Sequence, residues 1–203
     1  YGLGVIMNPY GRTLKKDEVI DFCKDTVGII AGTETLDVEV MEKLTNLKVI
    51  SRCGSGLTNV DLVTAKKLGI PVYSTPDGPV LAVAELTVGL MLALLRKVCW
   101  MDRNLRNEQW NKMMGSLLHG KKIGIKGFGR IGKKVAELLR PFGCEIAYAD
   151  PFVEDGLFGL KCLSLENLLQ WADIITLHAS VSETIIGEKE FRLMRKGAWL
   201  INT

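Results

Sequence analysis

Three glycines and one acid carry the clearest chemistry in the chain. Gly127-Phe128-Gly129-Arg130-Ile131-Gly132 follows a short apolar run at 123–126. Behind it, Ile131, Val135, Leu138, Leu139 and Phe142 recur at helical spacing. A second apolar run at 145–149 ends at Asp150, eighteen positions after Gly132. The order is strand, glycine turn, helix, strand, acid, and each residue type has a reason. Gly127 permits a tight turn, Gly129 lets the backbone approach a pyrophosphate, and Gly132 lets the helix pack on the strand. The helix start supplies N–H groups and a positive dipole end for phosphates. An acid at Asp150 suits the adenosine ribose hydroxyls and repels a 2′-phosphate, which points to NAD rather than NADP. The competing reading is a helix-start glycine cluster with no ligand.

A second candidate is the loop Cys53-Gly54-Ser55-Gly56-Leu57. Two glycines flanking a serine can form a backbone nest that cradles an anion, or an ordinary turn after a strand. His178 ends an apolar run at 174–177. It reads as a partly buried histidine satisfied by backbone at least as well as a catalytic base. Glu85 sits inside a long apolar stretch and reads as structural, and Lys126 as a strand-end lysine reaching water.

Alternating strands and helices must position these groups. Apolar runs at 5–7, 27–31, 47–51 and 70–74 read as strands, and 15–24, 37–44 and 61–68 as helices. Asp17 and Asp37 suit helix N-caps or first turns, and Gly69 suits a stop after Leu68. Thr75-Pro76-Asp77-Gly78-Pro79 punctuates the chain and marks a turn or hinge. A helix at 81–98 is apolar almost all round and must be covered on several sides. A further helix at 100–113 is polar on one face. Beyond Asp150 the pattern predicts a helix at 163–171, a strand at 174–177, a helix at 188–194 stopped by Gly197, and a strand at 199–201. The whole reads as an α/β protein: a Rossmann-like, doubly wound parallel sheet plus a smaller α/β domain. Ligands then gather at the strand ends near Gly127, Asp150, His178 and Thr203.

Composition narrows the function classes. At 47% hydrophobic and 24% charged residues, the chain can bury a core. A net charge of +3, with lysine and arginine scattered, does not argue for a nucleic-acid partner. The five cysteines are odd in number and form no CxxC, so a disulfide framework or metal site is not expected and a cytoplasmic setting is. The run at 80–95 contains Glu85 and is short for a membrane span. No signal peptide is visible, and both ends look cut.

Four ordered stretches, 52–61 (RCGSGLTNVD), 75–86 (TPDGPVLAVAEL), 120–150 and 172–203, resemble the D-isomer-specific 2-hydroxyacid dehydrogenases, with phosphoglycerate dehydrogenases the most similar members. The resemblance implies a flavodoxin-like substrate domain, here residues 1–80, and an NAD domain, here 81–203. It implies a dimer-forming helix at 81–98 and a homodimer. The site residues it implies are Gly54, Ser55 and Gly56 for the substrate carboxylate. For NAD they are Ser55, Gly127, Gly129, Arg130, Ile131, Gly132, Asp150, His178, Ala179 and Thr203. The family's catalytic Arg, Glu and His match nothing within 1–203 and are expected downstream. Pro79, Lys126 and Ser180 depart from the family's usual Asn, apolar residue and Pro.

The implied activity is hydride transfer between NAD and a D-2-hydroxy or 2-keto acid, with D-3-phosphoglycerate or a related glycerate as substrate. A dimeric, NAD-sensing regulator without turnover is the alternative from another class, because corepressors of the family share the RxGSG loop. A methyltransferase using the same turn fits the acid at Asp150 but not the stretches at 52–61 and 75–86.

Overall fold

The computed structural model describes residues 2–180 and 184–203, and the part of the fourth family-like stretch at 181–183 lies outside them. The chain divides into two compact units, Tyr1–Pro79 and Val80–Thr203.

The first unit runs α1 (Lys16–Cys23), β1 (Gly28–Ala31), α2 (Val38–Lys43), β2 (Val49–Arg52), α3 (Leu62–Lys67) and β3 (Val72–Ser74). The strands form a parallel sheet in the order β1-β2-β3. Short polar side chains start its helices. Asp37 accepts the Val40 N–H at 3.1 Å, and Asp61 accepts those of Val63 and Thr64 at 3.0 and 3.1 Å. Each satisfies N–H groups that a helix leaves open in its first turn. Asp17 is a first-turn acid of α1. Gly69 takes a left-handed φ of +68°, a conformation that suits glycine past a helix end. Val40, Met41, Leu44 and Ile50 fill the core.

One expected strand is absent. Residues 5–7 form no ladder, and Val5, Ile6 and Met7 are exposed. An apolar run becomes a strand only if a neighbour bonds its N–H and C=O groups, and β2 and β3 are the strands that complete this sheet.

The second unit runs α4 (Val80–Leu95), α5 (Val98–Arg106), β4 (Lys122–Lys126), α6 (Arg130–Leu139), β5 (Glu145–Ala149), β6 (Lys161–Cys162), α7 (Leu165–Trp171), β7 (Ile174–Leu177), α8 (Glu188–Leu193) and β8 (Trp199–Asn202). Its parallel sheet has the order β6-β5-β4-β7-β8. The chain winds outward from β4 through β5 to β6, then returns to the other side of β4 for β7 and β8. The order therefore reverses between β4 and β7, and ligands bind at such a reversal, beyond the carboxyl ends of the strands. With α-helices supplying the crossovers except between β5 and β6, where a 3₁₀ turn stands, this is the Rossmann-like fold that the alternating pattern predicts.

Four boundaries differ from the sequence reading. The long helix ends at Leu95 because Lys97 turns left-handed, with φ 58°. The next helix spans Val98–Arg106 rather than 100–113, and Glu108 beyond it is again left-handed. Phe142 leaves the buried face because Pro141, which lacks an N–H, sits in a 3₁₀ turn at Arg140–Phe142. Gly197 does not stop α8, which already ends at Leu193 because Met194 is extended; the φ of +81° at Gly197 makes the turn into β8. The two-residue edge strand β6 has too short a sequence signal to read.

Helix α4 explains its composition by burying one face. Ala84, Val88, Met91 and Leu95 enter the core beside Val135 and Leu139 of α6, while Leu86, Leu90 and Leu94 remain exposed. No helix among the described residues is long and apolar enough to cross a membrane.

Candidate functional site

The glycine turn is built by three backbone constraints at the β4–α6 junction. Gly127 donates its N–H to the Ala149 carbonyl at 3.0 Å and takes a φ of +91°. A Cβ there would stand 2.5 Å from the Ala179 nitrogen, so the first glycine serves both the turn and the close passage of residues 178–179. Gly132 faces the Gly127 carbonyl oxygen so closely that a Cβ would overlap it, and it would also press on Ile125 of β4. Gly129 differs: a Cβ would meet nothing within 4 Å. The absent side chain at Gly127 and Gly132 makes room for protein. At Gly129 it leaves room outside the protein, beside a helix start that no side chain caps. That is the arrangement an approaching phosphate requires.

Asp150 is tied to this turn. One carboxylate oxygen accepts the Phe128 N–H at 2.7 Å and the other accepts the Phe152 N–H at 2.9 Å. Each oxygen keeps a lone pair for a further donor, such as a sugar hydroxyl. His178 joins from β7, where its N–H donates to the Lys126 carbonyl at 2.7 Å. Gly127, Gly129, Arg130, Ile131, Gly132, Asp150, His178 and Ala179 thus meet at the strand reversal. Thr203 follows Asn202, which pairs with Leu177 at the end of the neighbouring strand.

In the first unit, the loop after β2 is fixed by Thr75. The Gly54 N–H donates to Thr75 Oγ1 at 2.8 Å, and the Thr75 N–H donates to the Gly54 carbonyl at 3.1 Å. Gly54 has a φ of +137° and is buried, while Ser55 is exposed and Gly56 half-buried. The Arg52 guanidinium folds back over Gly54 and donates to the Cys53 carbonyl at 2.6 Å. The Gly54 amide is therefore already engaged, whereas Ser55 lies at the surface of the loop.

Residues 88–203 match the family described as "D-isomer specific 2-hydroxyacid dehydrogenase, NAD binding domain". The chain belongs to this family. Among curated relatives of this dehydrogenase-family chain, the D-3-phosphoglycerate dehydrogenase of Sus scrofa is 34% identical over 94% of the chain and 38% of its own length. A glyoxylate reductase of Thermofilum pendens is 39% identical over 84% of the chain and 54% of its own length. The crystal structure of the TT0316 protein of Thermus thermophilus superposes with a TM-score of 0.86, at 33% identity, over 95% of the chain and 64% of that structure. The chain thus spans little more than a third of the length of the phosphoglycerate dehydrogenase it matches.

The two histidines of this dehydrogenase-family chain are both engaged. His119 Nδ1 donates to the Phe142 carbonyl at 3.1 Å. His178 is half-buried, and its Nε2 lies 2.9 Å from the hydroxyl of the fully buried Thr176, a side-chain partner rather than the backbone one anticipated. Burial pushes the His178 pKa down to about 4, so the ring is neutral at pH 7. Between about pH 4 and the ordinary value near 6.5 the unfolded chain binds the extra proton, so stability falls as pH drops through this window. The loss should reach about 2–3 kcal/mol at pH 4.5. Urea midpoints at pH 7 and 4.5 test this. His178→Gln should lose less stability on acidification than the parent, and an equal loss in both proteins contradicts the assignment.

Two supporting residues were not singled out from sequence. Thr75 is one, and its place beside Pro76 gave only a turn signal. Phe128 is the other. Its ring is fully buried and stacks on Tyr148 with centroids 4.1 Å apart, which anchors the middle of the glycine turn. An aromatic inside the turn facing one on the adjacent strand was a usable signal.

Proposed function

We propose that the chain forms part of an NAD-dependent dehydrogenase of D-2-hydroxy acids, acting on D-3-phosphoglycerate or a related glycerate. The observation that carries this reading is the open space at Gly129 beside an uncapped helix start, with Asp150 tied to the same turn. Residues 81–203 hold NAD. The amides of the Gly129–Gly132 turn, with Arg130 and Ile131, take the pyrophosphate, and Asp150 takes the adenosine ribose. His178, Ala179 and Thr203 line the rest of the cofactor cleft. When bound, NAD supplies the hydride acceptor.

Residues 1–80 bind substrate. Ser55 and Gly56 present the loop to its carboxylate, and Gly54, held by Thr75, fixes the loop's shape. The proton relay belongs to groups outside these 203 residues, since His119 and His178 are committed to the Phe142 carbonyl and the Thr176 hydroxyl. A general base must be free to take a proton near neutral pH.

The exposed leucines of α4, with Trp110, Met114 and Leu117 beyond α5, support a homodimer that covers them, to be read by sedimentation. A cytoplasmic enzyme fits the five free cysteines.

The test is NADH formation by the full-length protein across a panel of D- and L-2-hydroxy acids. The expected result is turnover of a D-acid, fastest with D-3-phosphoglycerate or D-glycerate. NADH binding without turnover of any acid would favour a regulator.

A further inference from the structure

We propose that the second unit carries an anion-binding pocket at the amino ends of its strands, opposite the glycine turn, that takes a compact dianion such as phosphate or a small phosphate monoester. A cavity of about 270 Å³ opens there, lined among others by Ser116, Lys121, Asp173, Arg195, Lys196 and Trp199. Its frame is rigid because three strands begin around it. The Asp173 N–H donates to the Lys122 carbonyl at 2.8 Å, and the Trp199 N–H donates to the Asp173 carbonyl at 3.0 Å.

The charges are unbalanced. Three cations face one carboxylate, and that carboxylate is spent on structure. Asp173 Oδ1 pairs with Arg195 at 2.7 Å, and its Oδ2 accepts the Lys122 N–H at 3.0 Å. Arg195 Nη1 also reaches the Trp171 carbonyl at 3.4 Å. Among the described residues, Lys121 and Lys196 have no carboxylate partner. Lys97 adds a further positive charge, with its ammonium 5.2 Å from the centre of the Trp199 ring. The nearby carboxyl end of α4 does not offset these charges fully, since the Leu95 carbonyl is bonded by the Ser116 N–H at 2.9 Å.

A concavity with excess charge of one sign focuses the field on a counter-ion. The cavity lies below the roughly 300–1,000 Å³ of clefts that hold drug-sized ligands, which selects a small anion. Two lysines and a guanidinium edge suit an oxyanion of charge near −2.

The experiment is a titration of the full chain with inorganic phosphate at constant ionic strength, balanced with chloride. The readouts are calorimetry and the indole N–H signals of the four tryptophans in ¹⁵N-labelled protein, with Trp199 assigned by Trp199→Phe. The expected result is a saturable shift of the Trp199 signal, with a Kd below about 10 mM. The Lys121→Gln/Lys196→Gln double variant should weaken it at least about tenfold, since two charge-assisted contacts are lost. NADH affinity should stay unchanged in the double variant. A linear response, a shift that chloride reproduces, binding that leaves the Trp199 signal still, or equal affinity in a folded double variant would each overturn the proposal.

Discussion

Gly132→Ala should lower the stability of the second unit by about 3 kcal/mol, the upper range for overpacked sites. The new Cβ would sit on the Gly127 carbonyl oxygen and against Ile125, and both belong to the buried β4–α6 junction. A backbone oxygen cannot swing aside as the tip of a flexible side chain does. Relief requires α6 to lift away from β4, which loosens the contacts of Val135, Ala136 and Leu139. The same displacement moves the helix start away from the turn, so NADH binding should fall with stability. Urea denaturation followed by the change in α-helix signal measures the first effect. An unchanged midpoint would show that Gly132 is not a packing glycine.

The second large effect concerns the choice of coenzyme. The parent protein should bind NADH about tenfold to a hundredfold more tightly than NADPH, because a 2′-phosphate would approach the carboxylate of Asp150. Asp150→Asn removes the charge and keeps one acceptor oxygen for either Phe128 or Phe152. The ratio of NADPH to NADH dissociation constants should then fall toward one, with some loss of NADH affinity as the turn loosens. Fluorescence titration of both coenzymes reads the ratio. Equal or tighter NADPH binding by the parent would remove Asp150 from the role of selecting NAD.

Much of this fold is legible in the sequence because its signals are local. The strands at 145–149 and 174–177 end where their apolar runs end, and Asp37 and Asp61 start their helices as short polar residues before an apolar period. The glycine turn is legible for the same reason, since its geometry demands glycine at 127 and 132. What escapes depends on partners distant in sequence. Residues 5–7 have the composition of a strand and no neighbour to make one. The break at Lys97 needs a left-handed lysine, which no local rule signals. Gly54 reads as an open amide until Thr75, twenty-one residues later, takes its hydrogen. Asp150 carries a similar lesson. Its spacing points to a ribose acid, but only the fold shows that it pins the turn through Phe128.

The dehydrogenase reading rests on the space outside Gly129, and one substitution examines that space with little else disturbed. Gly129 has an ordinary φ of −77°, and an added Cβ meets no protein atom within 4 Å. Gly129→Ala should therefore fold with a stability within about 0.5–1 kcal/mol of the parent. The added methyl group would occupy the place where the pyrophosphate approaches the backbone. Calorimetric titration of NADH into the full-length parent and the Gly129→Ala variant tests this directly. The account predicts saturable binding to the parent and at least about a thirtyfold loss, some 2 kcal/mol, in the folded variant. Equal NADH affinity in the two proteins would contradict it.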